Sequence, residues 1–111
     1  MAVTPVVIIP PKYAEAAQFK QYTSTPGKAI IDKFTITNIG AATASLSVNL
    51  VQNGGTADAS NLILDARSVA PGETYTCPEL VGHSLEAGGF ISTIASAATT
   101  LTIRASGREI S

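Results

Sequence analysis

Cys77 and His83 are the one pair in this chain that resembles a nucleophile and its base. A thiol hydrolase needs a thiolate activated by an imidazole, an orienting third group and an oxyanion hole. Here both residues fall in or beside one short connection, with nothing nearby to supply the remaining parts. The alternative is a buried, inert cysteine and a surface histidine. Because His83 is the sole histidine and Cys77 the sole cysteine, a tetrahedral zinc site within one chain lacks ligands, and so does a disulfide framework. The carboxylates Glu15, Asp32, Asp58, Asp65, Glu73, Glu79, Glu86 and Glu109 form neither a close acid/base pair nor a calcium loop. A glycosidase places two carboxylates across a cleft lined with sugar platforms, yet this chain has no Trp, three Tyr and three Phe. No glycine-rich phosphate loop is present; Gly54-Gly55 and Gly88-Gly89 read as turn glycines. The expectation is a protein that is not an enzyme and holds no cofactor or metal.

The elements that would position these residues are read from composition and spacing. With 111 residues, the chain is expected to build one core. Hydrophobic residues make up 45% and charged residues only 14%, against roughly 25% charged in an average domain. Thirteen Thr and ten Ser take up much of the polar share. The net charge of −1 with scattered Lys and Arg carries no footprint for nucleic acid. No run approaches the ~20 apolar residues of a membrane span, and the N-terminus lacks a basic signal region. A protein made in the cytoplasm, with neither nucleic acid nor membrane as partner, is expected.

Breaks at Pro10-Pro11, Pro26-Gly27, Asn38-Ile39-Gly40, Asn53-Gly54-Gly55, Pro71-Gly72, Gly88-Gly89 and Gly107 cut the chain into short pieces rich in Thr, Ile and Val. Alternation supports strands. Leu46, Val48 and Leu50 alternate with Ser45, Ser47 and Asn49; Leu101, Ile103 and Ala105 alternate with Thr100, Thr102 and Arg104. Ile30, Phe34 and Ile36 share a face that Asp32 interrupts. Phe90 and Ile94 are expected inward, opposed by Ile91, and Leu62, Leu64 and Ala66 share a face opposite Val69. Tyr13–Phe19 reads either as one helical turn or as the approach to a strand over Gln18–Thr23, and Cys77–Leu85 as a long connection. Seven or eight strands in this length predict an all-β fold: a small antiparallel β-sandwich of jelly-roll or Greek-key type, over residues 13–111.

The N-terminal segment is unusual. Residues 1–12 are strongly apolar yet hold Pro5, Pro10 and Pro11, which bars a central strand. Val3, Val6, Val7, Ile8, Ile9, Pro10 and Pro11 either pack on their own sandwich as an edge strand or form an extended arm that reaches a neighbour. Arg104 and Arg108, near Glu109, read as a solvated ion-pair edge or as rim contacts to another subunit. An apolar surplus in so small a domain favours burial between subunits, so these nine residues are the candidate interface and a homo-oligomer, a dimer first, is expected.

The run from Gln21 to Asn38 (QYTSTPGKAIIDKFTITN), together with Ser68–Tyr75 (SVAPGETY) and Ala105–Ile110 (ASGREI), resembles small virion proteins of tailed bacteriophages. It is similar in particular to the jelly-roll capsid decoration, or staple, proteins of short-tailed phages, over roughly Gln18 to Ile110. The resemblance implies a structural protein on the outer capsid surface of a virion that clamps neighbouring major capsid protein subunits. Related modules occur in head fibres and tail-associated proteins, so the other function it implies is recognition of a cell-surface receptor or glycan. No family site residues carry over, since these proteins share no catalytic or ligand motif.

Overall fold

The computed structural model describes residues 2–25 and 27–111, so Met1 and the Pro26 half of the expected Pro26–Gly27 turn lie outside the described residues. The described chain forms nine strands: β1 Val3–Tyr13, β2 Phe19–Thr23, β3 Lys28–Asn38, β4 Ala44–Val51, β5 Leu62–Val69, β6 Thr74–Tyr75, β7 Ser84–Leu85, β8 Phe90–Ala95 and β9 Leu101–Ile110. A single 3-10 turn, Ala59–Asn61, precedes β5. One sheet runs β1-β9-β3-β6, with β7 also on β3, and the other runs β2-β8-β4-β5. Every pairing is antiparallel.

The pairings β1–β9, β2–β8, β3–β6 or β3–β7, and β4–β5 are nested about the middle of the chain. A long hairpin rolled over on itself produces this nesting, and the result is the expected jelly-roll sandwich. Ile9, Ile31, Phe34, Ile36, Leu46, Val48, Val69, Leu80, Ile91, Leu101 and Ile103 fill the space between the sheets with no exposed surface.

Three strands depart from simple alternation, and each departure has a local cause. In β3 the inward residues are Ile31, Phe34 and Ile36, in place of the expected Ile30, Phe34 and Ile36. A bulge between Ile31 and Lys33 puts Asp32 out of register with β9, so the side-chain phase flips there. The carboxylate that seemed misplaced on the apolar face therefore points to solvent. In β5 the expected face of Leu62, Leu64 and Ala66 breaks twice: a register shift sets Leu62 beside Asn49 and Leu64 beside Val48, and Ala66, with a φ of 47°, marks a bulge. Ser47 Oγ accepts the Ala66 N–H at 2.8 Å, and past the bulge Val69 is turned into the core. In β8 the inward set is Ile91, Thr93 and Ala95, the reverse of the expected phase. Phe90 is covered from outside by Lys20, whose Nζ sits 4.2 Å from the ring centroid. With both faces of the strand covered, apolar alternation no longer reports orientation.

The proline-containing N-terminal segment is β1, an edge strand on β9, and it does not end at Pro10-Pro11. Register shifts between Val7 and Ile9 and between Ile9 and Lys12 absorb the residues that cannot keep the ladder. Ile8 and Ile9 are 3% and 0% exposed, so this segment belongs to the sandwich and is not an appended arm; deleting it would remove two core side chains. Tyr13 ends β1 and Ala14–Gln18 is a bend, so the strand alternative for Gln18–Thr23 is the one realised.

Candidate docking face

Directly opposed residues of an antiparallel pair share a face, so the outer surface of the β1-β9-β3 sheet follows from its register. Val3, Pro5, Val7 and Tyr13 of β1 lie beside Ile110, Arg108, Ser106 and Thr102 of β9. Lys28, Ile30, Lys33, Thr35 and Thr37 of β3 lie beside Ile110, Arg108, Ser106, Arg104 and Thr102 on the other side. Val3, Val7 and Tyr13 are 55%, 51% and 49% exposed, and Phe19 at the start of β2 is 44% exposed near the Tyr13 end. Apolar surface thus runs along one margin, followed by a band of hydroxyls and cations.

Four of the chain's seven cations, Lys28, Lys33, Arg104 and Arg108, share this face with one carboxylate, Asp32. The Arg108 guanidinium grips Asp32 through two parallel bonds, Nε to Oδ2 and Nη2 to Oδ1, each 2.9 Å. Asp32 raises the Arg108 pKa further above its already high ordinary value. The pair is solvated and adds little stability, but it fixes where the guanidinium lies. Lys28 reaches Glu86 at 3.7 Å, with both side chains well exposed. Among the described residues, Arg104 makes no ion pair.

The free edge of β1 is chemically restrained. Ala2 and Ser111 exchange two backbone bonds, 3.1 and 3.0 Å long. By the alternation of an antiparallel ladder, the peptide groups of Val3, Pro5 and Val7 then point away from β9. Pro5 has no N–H to offer, so this edge presents a broken row of donors, a known guard against indefinite strand addition. What this edge presents outward is side chains more than an unbroken row of peptide groups.

The nine residues singled out from sequence therefore divide. Val3, Val7, Pro10, Pro11, Arg104 and Arg108 are exposed; Val6 is half-buried against the core; Ile8 and Ile9 are inside it and are not available as contacts. Arg108 pairs with Asp32 and not with Glu109, because neighbours along a strand point to opposite faces. Tyr13, Lys28, Lys33 and Asp32 belong to the same surface and were missed. The strand register was the signal that would have found them, and the Asp32 bulge concealed it.

Glu109 points inward at one end of the sandwich and accepts the Tyr22 hydroxyl at 2.5 Å, tying β2 of the opposite sheet to β9. Burial, then this hydrogen bond and the nearby negative charge, push the Tyr22 phenol up to about 12. A phenol raised in the folded state contributes stability that is complete below its unfolded pKa of about 10. That stability is lost as pH rises towards 12. Denaturant titrations across this window are expected to show an alkaline loss of stability in the native chain that is smaller in Tyr22→Phe. Equal alkaline losses in the two proteins would show that Tyr22 is not responsible.

Cys77 and His83 do not form a dyad. Cys77 is fully buried at a left-handed φ of 47°, its Sγ 4.0 Å from the Tyr75 carbonyl oxygen. His83 is exposed, and its backbone carbonyl accepts the Ile31 N–H. Burial, then the charge of Glu79, push the Cys77 thiol up to about 12, the opposite of what an activated thiolate requires. Over this site Tyr75 donates its hydroxyl to Glu79, 2.6 Å from each carboxylate oxygen, and the Arg67 guanidinium stacks 3.9 Å above the Tyr75 ring. A disulfide-exchange reagent is expected to label Cys77 rapidly in denaturant and at least a hundredfold more slowly in the native protein. Comparable rates would refute its protection. No group of three or more potential metal ligands occurs among the described residues.

No family model matches this chain, and neither a curated protein nor a solved structure matches it.

Proposed function

We propose that this chain is a structural virion protein that binds the outside of a bacteriophage capsid and clamps neighbouring major capsid subunits through the outer face of its β1-β9-β3 sheet. The observation that carries this reading is the face itself. Val3, Val7 and Tyr13 stay exposed beside Lys28, Lys33, Arg104 and Arg108 while the core closes without them. An apolar margin next to a basic band suits a protein surface with an apolar strip bordered by carboxylates. The jelly-roll architecture and the resemblance of Gln21–Asn38, Ser68–Tyr75 and Ala105–Ile110 to decoration proteins support a shell as that surface. A dimer would present two such faces, which is what bridging adjacent subunits requires. Contacts of modest strength repeated over many copies become strong by multivalency.

The test is direct. Virions of the encoding phage should contain the protein in copy numbers comparable to the major capsid protein, and purified protein should co-sediment with shells stripped of it. Val7→Asp combined with Arg104→Glu changes only exposed side chains, so the variant should fold. It should also bind shells at least tenfold more weakly. Absence from virions, or undiminished binding by a folded double variant, would overturn the proposal.

A further inference from the structure

The chain has four asparagines, and the fold treats one of them differently. Asn38 is fully buried and uses both ends of its amide, Nδ2 on the Val69 and Ala42 carbonyls and Oδ1 on the Gly40 N–H. Asn49 is only 4% exposed, and its Nδ2 donates to the Asp58 carbonyl at 2.9 Å and to Asn61 Oδ1 at 2.8 Å. Asn61 Nδ2 donates to the Thr56 carbonyl at 2.8 Å. Asn53 is exposed, and among the described residues its side-chain amide neither donates nor accepts a hydrogen bond. The residue that follows separates them again: Ile39, Leu50 and Leu62 after the other three, Gly54 after Asn53.

Asn53 and Gly54 are the two central residues of a turn closed by the Gly55 N–H on the Gln52 carbonyl at 2.9 Å. Gly54 has a φ of 83°, the value that a type II turn demands at its third residue. Its own N–H meets no acceptor among the described residues, and a Cβ placed on it would touch nothing within 4 Å. The Asn53 side chain lies over Gly88 in the turn between β7 and β8, where an added Cβ would stand 2.5 Å from Asn53 Cγ. An amide carbon held by no hydrogen bond therefore sits one residue before a bare, open backbone nitrogen. Bringing the two together means rotating the peptide that joins them. That motion strains a single hydrogen bond in an exposed turn, where local opening costs least.

We propose that Asn53 is a site of spontaneous covalent modification, converted to isoaspartate and aspartate with the Gly54 nitrogen as nucleophile and solvent water as co-reactant. Hydroxide removes the Gly54 amide proton, and the nitrogen forms a bond to Asn53 Cγ. The Cγ–Nδ2 bond then breaks, and Nδ2 leaves as ammonia with a proton taken from water. The cyclic imide left behind opens when water adds to either of its carbonyls. Opening at Cγ gives aspartate; opening at the backbone carbonyl gives isoaspartate, whose chain runs on through Cβ and Cγ. One water is taken up and one ammonia released, and nothing is oxidised or reduced. Glycine suits the nucleophile's position because no side chain crowds its nitrogen. Either product adds one negative charge to the chain's −1. Isoaspartate also draws Cγ into the main chain, so the packing of Asn53 on Gly88, which links the β4–β5 and β7–β8 connections, is lost. The inference stands whatever the docking face binds.

Incubating the full native chain at mildly alkaline pH, followed by peptide-resolved mass spectrometry, tests it. The peptide holding Asn53 should gain about 1 Da, at least tenfold faster than those holding Asn38, Asn49 or Asn61. Fragmentation that distinguishes the two isomers should find isoaspartate at position 53, which direct hydrolysis of the side chain cannot produce. The rate should rise with pH, because the nucleophile is the deprotonated nitrogen. Gly54→Ala, whose added methyl meets open space, should convert at least fivefold more slowly, and Asn53→Ser should remove the modification altogether. The same chain unfolded in urea supplies the reference. Conversion in urea with none at Asn53 in the native chain, comparable rates at all four asparagines, aspartate without isoaspartate, or an unchanged rate in Gly54→Ala would each overturn the inference.

Discussion

Replacing Gly107 with alanine is expected to cost the fold about 3 kcal/mol or more, beyond the usual range for one added methyl group. Gly107 lies in β9 between Val6 of β1 and Ile31 of β3. A Cβ there would stand 2.0 Å from the Ile30 carbonyl oxygen and 2.5 Å from Ile8 Cδ1. The Ile8 side chain could turn aside, but the carbonyl is backbone and moves only with the sheet. Both neighbours are bulged at this level, β1 at Ile8 and β3 at Asp32, so the two irregularities converge on the one position of β9 that has no side chain. A fall in Tm of about 10–20 °C should accompany the loss. Gly54→Ala is the control: its Cβ would meet nothing within 4 Å, so only its left-handed φ of 83° is strained, at about 1 kcal/mol. A Gly107→Ala protein no less stable than Gly54→Ala would show that the sheet yields at no cost.

Asn38→Ala is expected to be comparably damaging, for a polar reason. Asn38 ends β3 with no exposed surface. Its Nδ2 donates to the Val69 carbonyl at 2.8 Å and to the Ala42 carbonyl at 2.9 Å, while its Oδ1 accepts the Gly40 N–H at 2.8 Å. Val69 belongs to the opposite sheet, so this side chain joins the two layers where the chain crosses between them. Its backbone is occupied as well, donating to the Glu73 carbonyl and accepting from the Gly72 N–H. Alanine would strand the buried Val69 carbonyl and unpair the part-buried Ala42 carbonyl and Gly40 N–H, at about 3 kcal/mol for the set. Asn38→Asp should be no better at neutral pH, because it keeps the acceptor for Gly40 but turns a carboxylate towards two carbonyl oxygens. Urea unfolding with an unchanged m-value checks both. A loss under about 1 kcal/mol for Asn38→Ala would mean that water replaces these bonds readily.

Both residues looked like punctuation in the sequence. Asn38 stood before Gly40 as a turn and Gly107 as a break; both belong to strands, and besides the local bonds of Asn38 to Gly40 and Ala42 each meets a partner 30 or more residues away. The same holds for the candidate docking face. Arg104 and Arg108 were legible as a pair of cations, but not the ion pair with Asp32, a residue 76 positions away. The apolar N-terminus was legible as an edge or an arm. Only the register with β9 separated Val3 and Val7, which face solvent, from Ile8 and Ile9, which complete the core.

By composition and pattern alone, this chain is a single all-β sandwich. Hydroxyl-rich alternation at period two, regular turn residues and one cysteine leave no other economical way to bury its apolar half. Alternation carries that information because each strand's two faces meet different solvents, and the difference is written locally. Phase within a strand, the partner of each charge and the side of the sheet left open were decided by tertiary structure. Bulges at Ile8, Asp32 and Ala66 each insert one residue and invert the side-chain phase up to the next irregularity of the strand. Where a bulge falls depends on the strand next door, which the chain supplies from 20 to 100 residues away.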